Sequence, residues 1–216
     1  MDPATAIMLM LGGAVVMGGG TGSKQRPMQS GSANGPGVWK DVDAPRRIAL
    51  LAAPIEYGLP WPGLTNYLLA VAYGESRGVS YACKSPCGPG WSRGWFQLRS
   101  ITKCFGDMGL SESQLMSNEA AQVAMAACHA RRLGIIYDEP GQTVQWRDIR
   151  RGWKYPKWTG ASWRNSSEAQ GNYTAFVRNL NNVGLSQSFA SQRSFPSGLD
   201  VPHVKQLYNM IRAGVS

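Results

Sequence analysis

One helix in this chain is obliged to bury a carboxylate. The stretch PGLTNYLLAVAYGESRG runs from Pro62 to Gly78, with Pro at its start and Gly just past its end, the asymmetry that punctuates helices. Leu64, Leu68 and Val71 recur at helical spacing, and the next position on that face is Glu75. An arbitrary Glu is ordinarily a solvated surface residue, and structural ion pairs also bury carboxylates. A carboxyl on the buried stripe, one turn from a helix C-terminus, meets two effects that favour its protonated form. They are desolvation by its apolar neighbours and the negative end of the helix. A carboxylic acid that keeps its proton near neutral pH can protonate a glycosidic oxygen.

The rest of the sequence places this helix in a mainly α domain. PRRIALLAAPIEY at 45–57 reads as a helix opening on Pro. SNEAAQVAMAACHARRLG reads as another, capped by Ser117 or Asn118, with Glu119 in its first turn, Arg131 and Arg132 near its end and Gly134 closing it. No alternating run long enough for a convincing strand and no internal repeat occurs. At the N-terminus, Ala4 to Gly20 gives 17 uncharged, mostly apolar or Gly residues. As a helix they would reach about 26 Å, slightly short of a hydrocarbon core. This segment reads first as membrane-associated, second as an atypical export signal, third as a helix packed on a partner. The Gly-, Ser- and Pro-rich stretch that follows reads as a flexible tether. The expected division is 1–20 hydrophobic segment, 21–44 linker, 45–183 helical domain and 184–216 C-terminal region. In that last region residues 186–197 read as a loop, and 203–214 as a helix with Val204, Leu207, Tyr208 and Ile211 on one face.

Charge and cysteines narrow the partner. Lys and Arg number 22 against 13 Asp and Glu, a net charge of +9, which points to an anionic partner. The basic residues are scattered and no nucleic-acid recognition motif accompanies them, so wall polymers or acidic headgroups fit better than DNA or RNA. Cys83, Cys87, Cys104 and Cys128 permit three pairings. A local Cys83–Cys87 bridge would stiffen a Gly/Pro loop, and Cys104 and Cys128, on separate predicted helices, could face one another. Four ordinary thiols are the alternative. A metal site is not expected, because neither His129 nor His203 shows ligand spacing, and His129 at a basic helix end reads as a surface residue. No cofactor is expected.

GESRGVSY at 74–81, followed by SRGWFQL at 92–98, resembles the paired signature of the lysozyme-like lytic transglycosylases of the goose-lysozyme superfamily. Glu75 and Ser76 match the Glu-Ser pair that ends a helix there. Ser92, Gly94, Trp95, Phe96 and Gln97 match the small-residue, Gly, apolar, apolar, Gln element. NEAAQVAMAACHARRL resembles the next helix of the family, and NYTAFVRNL at 172–180, with Tyr173, its closing Tyr-containing helix. The similarity spans roughly Pro62 to Asn181. The family's Tyr-Asn-Ala-Gly element is not found. DIRRGWKYPKW at 148–158 lies at about the corresponding distance, with Trp153 or Tyr155 at the aromatic position and Arg150 or Arg151 at the polar one.

The resemblance implies a lysozyme-like helical fold and cleavage of peptidoglycan at the MurNAc–GlcNAc bond, by an enzyme of a cell envelope or a phage virion. Glu75 would be the single catalytic acid and base, giving 1,6-anhydro products. Ser76, Trp95, Gln97, Trp153, Tyr155 and Tyr173 would line the substrate cleft, although Trp residues more often fill cores. A hydrolytic muramidase would need a second carboxylate; Asp107, Glu112, Asp138, Glu139 and Asp148 are available but sit in no recognisable motif. The remaining alternative is a non-catalytic wall-binding or virion structural protein with this fold. Glycan strands, a membrane through residues 4–20, and envelope or virion proteins are the partners implied.

Overall fold

The computed structural model describes residues 38–58, 61–83, 92–99, 103–137, 143–153, 165–194, and 205, 206 and 209. The apolar segment Ala4 to Gly20, the linker up to residue 37, Cys87, Tyr155, and Val204, Leu207, Tyr208 and Ile211 lie outside them. Among the described residues no helix is long and apolar enough to cross a membrane.

The described chain is helical, with only isolated bridges in place of strands. Its helices are α1 (Ala44–Gly58), α2 (Leu64–Ser76), α3 (Lys103–Asp107), α4 (Glu112–Ser117), α5 (Glu119–Tyr137), α6 (Trp146–Gly152) and α7 (Ser167–Asn182), followed by a 3₁₀ turn at Gln187–Ser191. Helix α2 packs on α1, α5 and α7, and α5 packs also on α3, α4 and α6. Nearly every residue of α5 is buried, the expected condition for a helix without a polar face. Its run of Ala lets neighbouring backbones approach closely.

The helices expected within the described residues form, with informative differences at their ends. Pro62 lies before α2 rather than in it, and Gly63 is the N-cap. Gly63 has no side chain to cap with, so Glu56 of α1 does this instead. Its carboxylate accepts from Gly63 N at 2.7 Å and Thr65 N at 2.8 Å. Gly134 does not close α5, which continues to Tyr137. The extra turn buries Tyr137 against Gly152 of α6, which offsets the roughly 1 kcal/mol penalty of a helical Gly. Of the two expected caps, Asn118 acts, accepting from Ala121 N at 3.0 Å.

Residues 186–197 were expected as a loop, yet Ser186 caps a 3₁₀ turn that buries Phe189 and Ala190. Phe189 stacks on Trp146 at 5.7 Å, and Trp146 stacks in turn on Trp61 and Tyr67. Ser194 N donates to Val144 O at 2.9 Å. The folded domain therefore runs past residue 183, because this aromatic column needs a cover. Cys104 and Cys128 form a disulfide between α3 and α5, and Cys83 is also disulfide-bonded.

Candidate functional site

Helix α2 ends at Ser76, and Arg77 and Gly78 turn the chain with positive φ. Ser76 serves this turn: its Oγ donates to Ala72 O at 3.2 Å and accepts from Gly78 N at 3.2 Å. Ser76, expected to line the cleft, here terminates the helix with its hydroxyl used in both directions. Gly74 lies under a side chain of α7. A Cβ there would overlap the side-chain amide of Asn179, which α7 lays across the helix.

Glu75 is on the buried face, as its spacing predicts, with its side chain 6% exposed. Its surroundings differ from the expectation of an acid isolated among apolar groups. Arg150 of α6 donates from Nη2 to Glu75 Oε1 at 2.6 Å, and the Arg150 side chain is itself 5% exposed. A guanidinium at this distance stabilises negative charge on a carboxylate. The apolar stripe of α2 thus continues into a buried ion pair. Nearby, Tyr67 of the same helix is fully buried with no hydrogen-bond partner for its hydroxyl among the described residues. Burial drives its phenol well above the ordinary range, with the charges of Arg150 and Glu75 acting on it in opposite directions.

The Gly-Trp-Phe-Gln element forms a tight turn docked between the end of α2 and α6. Gly94 N donates to Ala82 O at 2.8 Å, and Gln97 N to Gly94 O at 3.3 Å. Gly94 has φ +72°, and a Cβ there would strike the side chain of Gln122. Gln97 takes φ +49°, an uncommon conformation for a non-glycine residue. Its Nε2 donates to Ala82 O at 3.0 Å and Gly94 O at 2.9 Å, while its buried Oε1 has no donor among the described residues.

Trp95 and Trp153 are 0% and 3% exposed, so neither offers a ring face to a sugar. Both fasten the turn. Trp95 Nε1 donates to Gly78 O at 2.8 Å and Trp153 Nε1 to Phe96 O at 3.2 Å. Tyr173 is half-buried, with the Arg151 guanidinium over its ring at 5.2 Å. Tyr155 lies outside the described residues, as do Trp91, Trp158 and Trp163.

The sequence reading missed one residue of this site and misplaced another. Gln122 of α5 clamps the turn, accepting from Trp95 N at 2.7 Å and donating to Ser80 O at 2.9 Å. Only its place amid an otherwise apolar helix hinted at this. His129 is the other: it is 2% exposed, not a surface residue. Its Nε2 meets Trp153 O at 3.0 Å, so that nitrogen carries the proton, and burial lowers its pKa to about 4. The acids Asp107, Glu112 and Asp148 are spent elsewhere, pairing with Arg132, Arg93 and Arg151. Among the described residues no group of three or more His, Cys, Asp or Glu is placed to hold a metal. Comparison of the chain with protein families, with curated proteins and with solved structures gives no match.

Proposed function

We propose that this chain is a peptidoglycan-cleaving enzyme of lysozyme-like fold, with Glu75 as its one catalytic carboxyl. The observation that carries the reading is the convergence of the two sequence elements. The helix ending in Glu75 and the Gly94–Gln97 turn are bonded together through Trp95 and Gly78, and both meet α6 through Arg150 and Trp153. The turn is held in a strained conformation at Gln97, a kind of strain that concentrates at functional sites.

The chemistry requires one carboxyl acting twice. Glu75 gives its proton to the oxygen between MurNAc and GlcNAc as that oxygen leaves the anomeric carbon. The resulting carboxylate then takes the proton of the muramoyl 6-hydroxyl, whose oxygen closes onto the same carbon as a 1,6-anhydro ring. Bond count and protons balance, and no water is consumed. Asp107, Glu112 and Asp148 are each paired with another Arg, and Asp138 and Glu139 lie outside the described residues; the one-carboxyl path needs none of them, whereas hydrolysis would call on a second carboxyl group.

The charge of +9 favours association with anionic wall polymers. The Cys104–Cys128 disulfide suits an oxidising location such as an envelope or a virion. The apolar segment at residues 4–20 would tether the domain to a membrane or a particle.

A second reading has an observation of its own. Glu75 and Arg150 neutralise each other in the interior, which suffices for a non-catalytic wall-binding or virion structural protein. Turbidity of purified sacculi separates the two readings. The proposed enzyme clears them and Glu75→Gln does not; equal clearing by the variant removes Glu75 from its role, and clearing by neither favours the structural protein.

A further inference from the structure

We propose that Arg150 is the positioning residue of this site, fixing Oε1 of Glu75 so that Oε2 is the oxygen that exchanges the proton. This rests on the peptidoglycan reading and assigns a task that reading leaves open. Arginine and carboxylate commonly meet through two parallel hydrogen bonds. Here one is made, Nη2 to Oε1 at 2.6 Å. Arg150 Nε and Nη1 are buried with no acceptor among the described residues, and no described residue donates to Oε2. Buried donors left over in this way call for an explanation beyond fold stability. The one-armed contact supplies it: the carboxyl plane is held, while one oxygen stays uncommitted.

The sequence of proton transfers gives Arg150 a purpose. When Oε2 releases its proton to the bridging oxygen, negative charge appears on a carboxyl already bonded to a guanidinium. The same charge is removed when Oε2 takes the 6-hydroxyl proton. Arg150 stays cationic throughout and touches no reacting atom. Among the described residues, the buried phenol of Tyr67 on α2 interacts electrostatically with both members of the pair. His129 of α5 is turned to the Trp153 carbonyl, and Arg151 is turned to Asp148 and to Tyr173 of α7. Among the described residues, the guanidinium of Arg150 is the cation bonded to Glu75.

The test is muropeptide release by the full chain as a function of pH, for wild type, Arg150→Met and Arg150→Lys. It is joined to a carbon NMR titration in which Glu75→Gln identifies the Glu75 signal. Without the guanidinium, the alkaline limb of the rate and the Glu75 titration should both move to higher pH, because the carboxylate loses its bonded cation. The maximal rate should fall about a hundredfold, the scale of a misplaced catalytic group. Arg150→Lys keeps the charge without the planar fork, so its kcat should fall about tenfold or more with KM little changed.

A folded Arg150→Met protein whose limb and titration stay at the wild-type positions overturns the proposal. If that variant does not fold, Arg150→Lys decides, and wild-type kcat in it overturns the proposal equally. An active wild type whose profile ignores Arg150 removes the positioning role alone. A wild type that releases nothing, while Glu75 still titrates in step with Arg150, removes the enzymatic reading and the positioning role together.

Discussion

Gln122 is 2% exposed, and both ends of its amide are used. Replacing it with Ala deletes two hydrogen bonds and leaves Trp95 N–H and the Ser80 carbonyl without those partners. A typical hydrogen bond contributes about 1 kcal/mol net, and an orphaned buried donor costs about 1–3 kcal/mol. Counting the orphaned donor once and one further bond, the loss is about 2–4 kcal/mol. For a domain of this size that lowers Tm by roughly 5–15 °C. Urea unfolding followed by Trp fluorescence measures it, and the midpoint should fall with the slope unchanged. Because the same side chain backs Gly94, the Gly94–Gln97 turn should loosen and sacculus clearing should fall further than stability alone explains. Gln122→Glu is the sharper comparison, since a carboxylate accepts from Trp95 N–H but has no hydrogen to give Ser80 O. A loss below about 1 kcal/mol in Gln122→Ala, with clearing intact, refutes the clamp.

Other predictions follow from single contacts. Cys104 and Cys128 are separated by 24 positions, and the loop-entropy relation assigns such a bridge about 3.5 kcal/mol; the Cys104→Ala/Cys128→Ala double variant should lose about that much in urea unfolding, and a loss under 1 kcal/mol would contradict the estimate. His129 is neutral in the fold because its pKa is lowered to about 4, whereas in the unfolded chain it ionises near 6.5. The unfolded state therefore binds the extra proton between these values, and stability falls as pH drops from about 6.5 toward 4, by up to about 3 kcal/mol. His129→Gln should flatten that part of the stability–pH curve, and an unchanged slope would show that another group sets it. Glu56→Ala removes the acceptor for two N-terminal amides of α2 and should cost about 1–2 kcal/mol, the range of a lost helix cap; thermal unfolding at the wild-type Tm would count against a capping role.

The sequence was most legible where one periodicity governs one element. Leu64, Leu68 and Val71 locate the buried face of α2, and Glu75 falls on it because the helix stays regular up to Ser76. What lies opposite was not legible. Arg150 and Arg151 are adjacent basic residues on α6, and only packing decides that one turns to Glu75 and the other to Asp148 and Tyr173. The aromatic residues misled for a related reason. Trp95 and Trp153 have large apolar bodies and one N–H each, which suits a sugar platform and a core peg equally. The structure uses both as pegs, through Gly78 O and Phe96 O. His129 looked like a surface residue at a basic helix end, but Trp153 at the end of α6 packs edge-on against its ring and covers it. Glu56 was overlooked because it caps a helix other than its own, a link that no local pattern reveals.

The most direct test identifies the soluble products released from purified sacculi, in water enriched in heavy oxygen. It uses wild type and a Glu75→Gln protein whose circular dichroism shows the native helix content. Glutamine keeps an oxygen for Arg150 but has no exchangeable carboxyl proton. The account predicts wild-type muropeptides ending in 1,6-anhydro rings without the heavy isotope, and none from Glu75→Gln. Equal release by the two proteins would contradict it, because bond cleavage would then not depend on the Glu75 carboxyl.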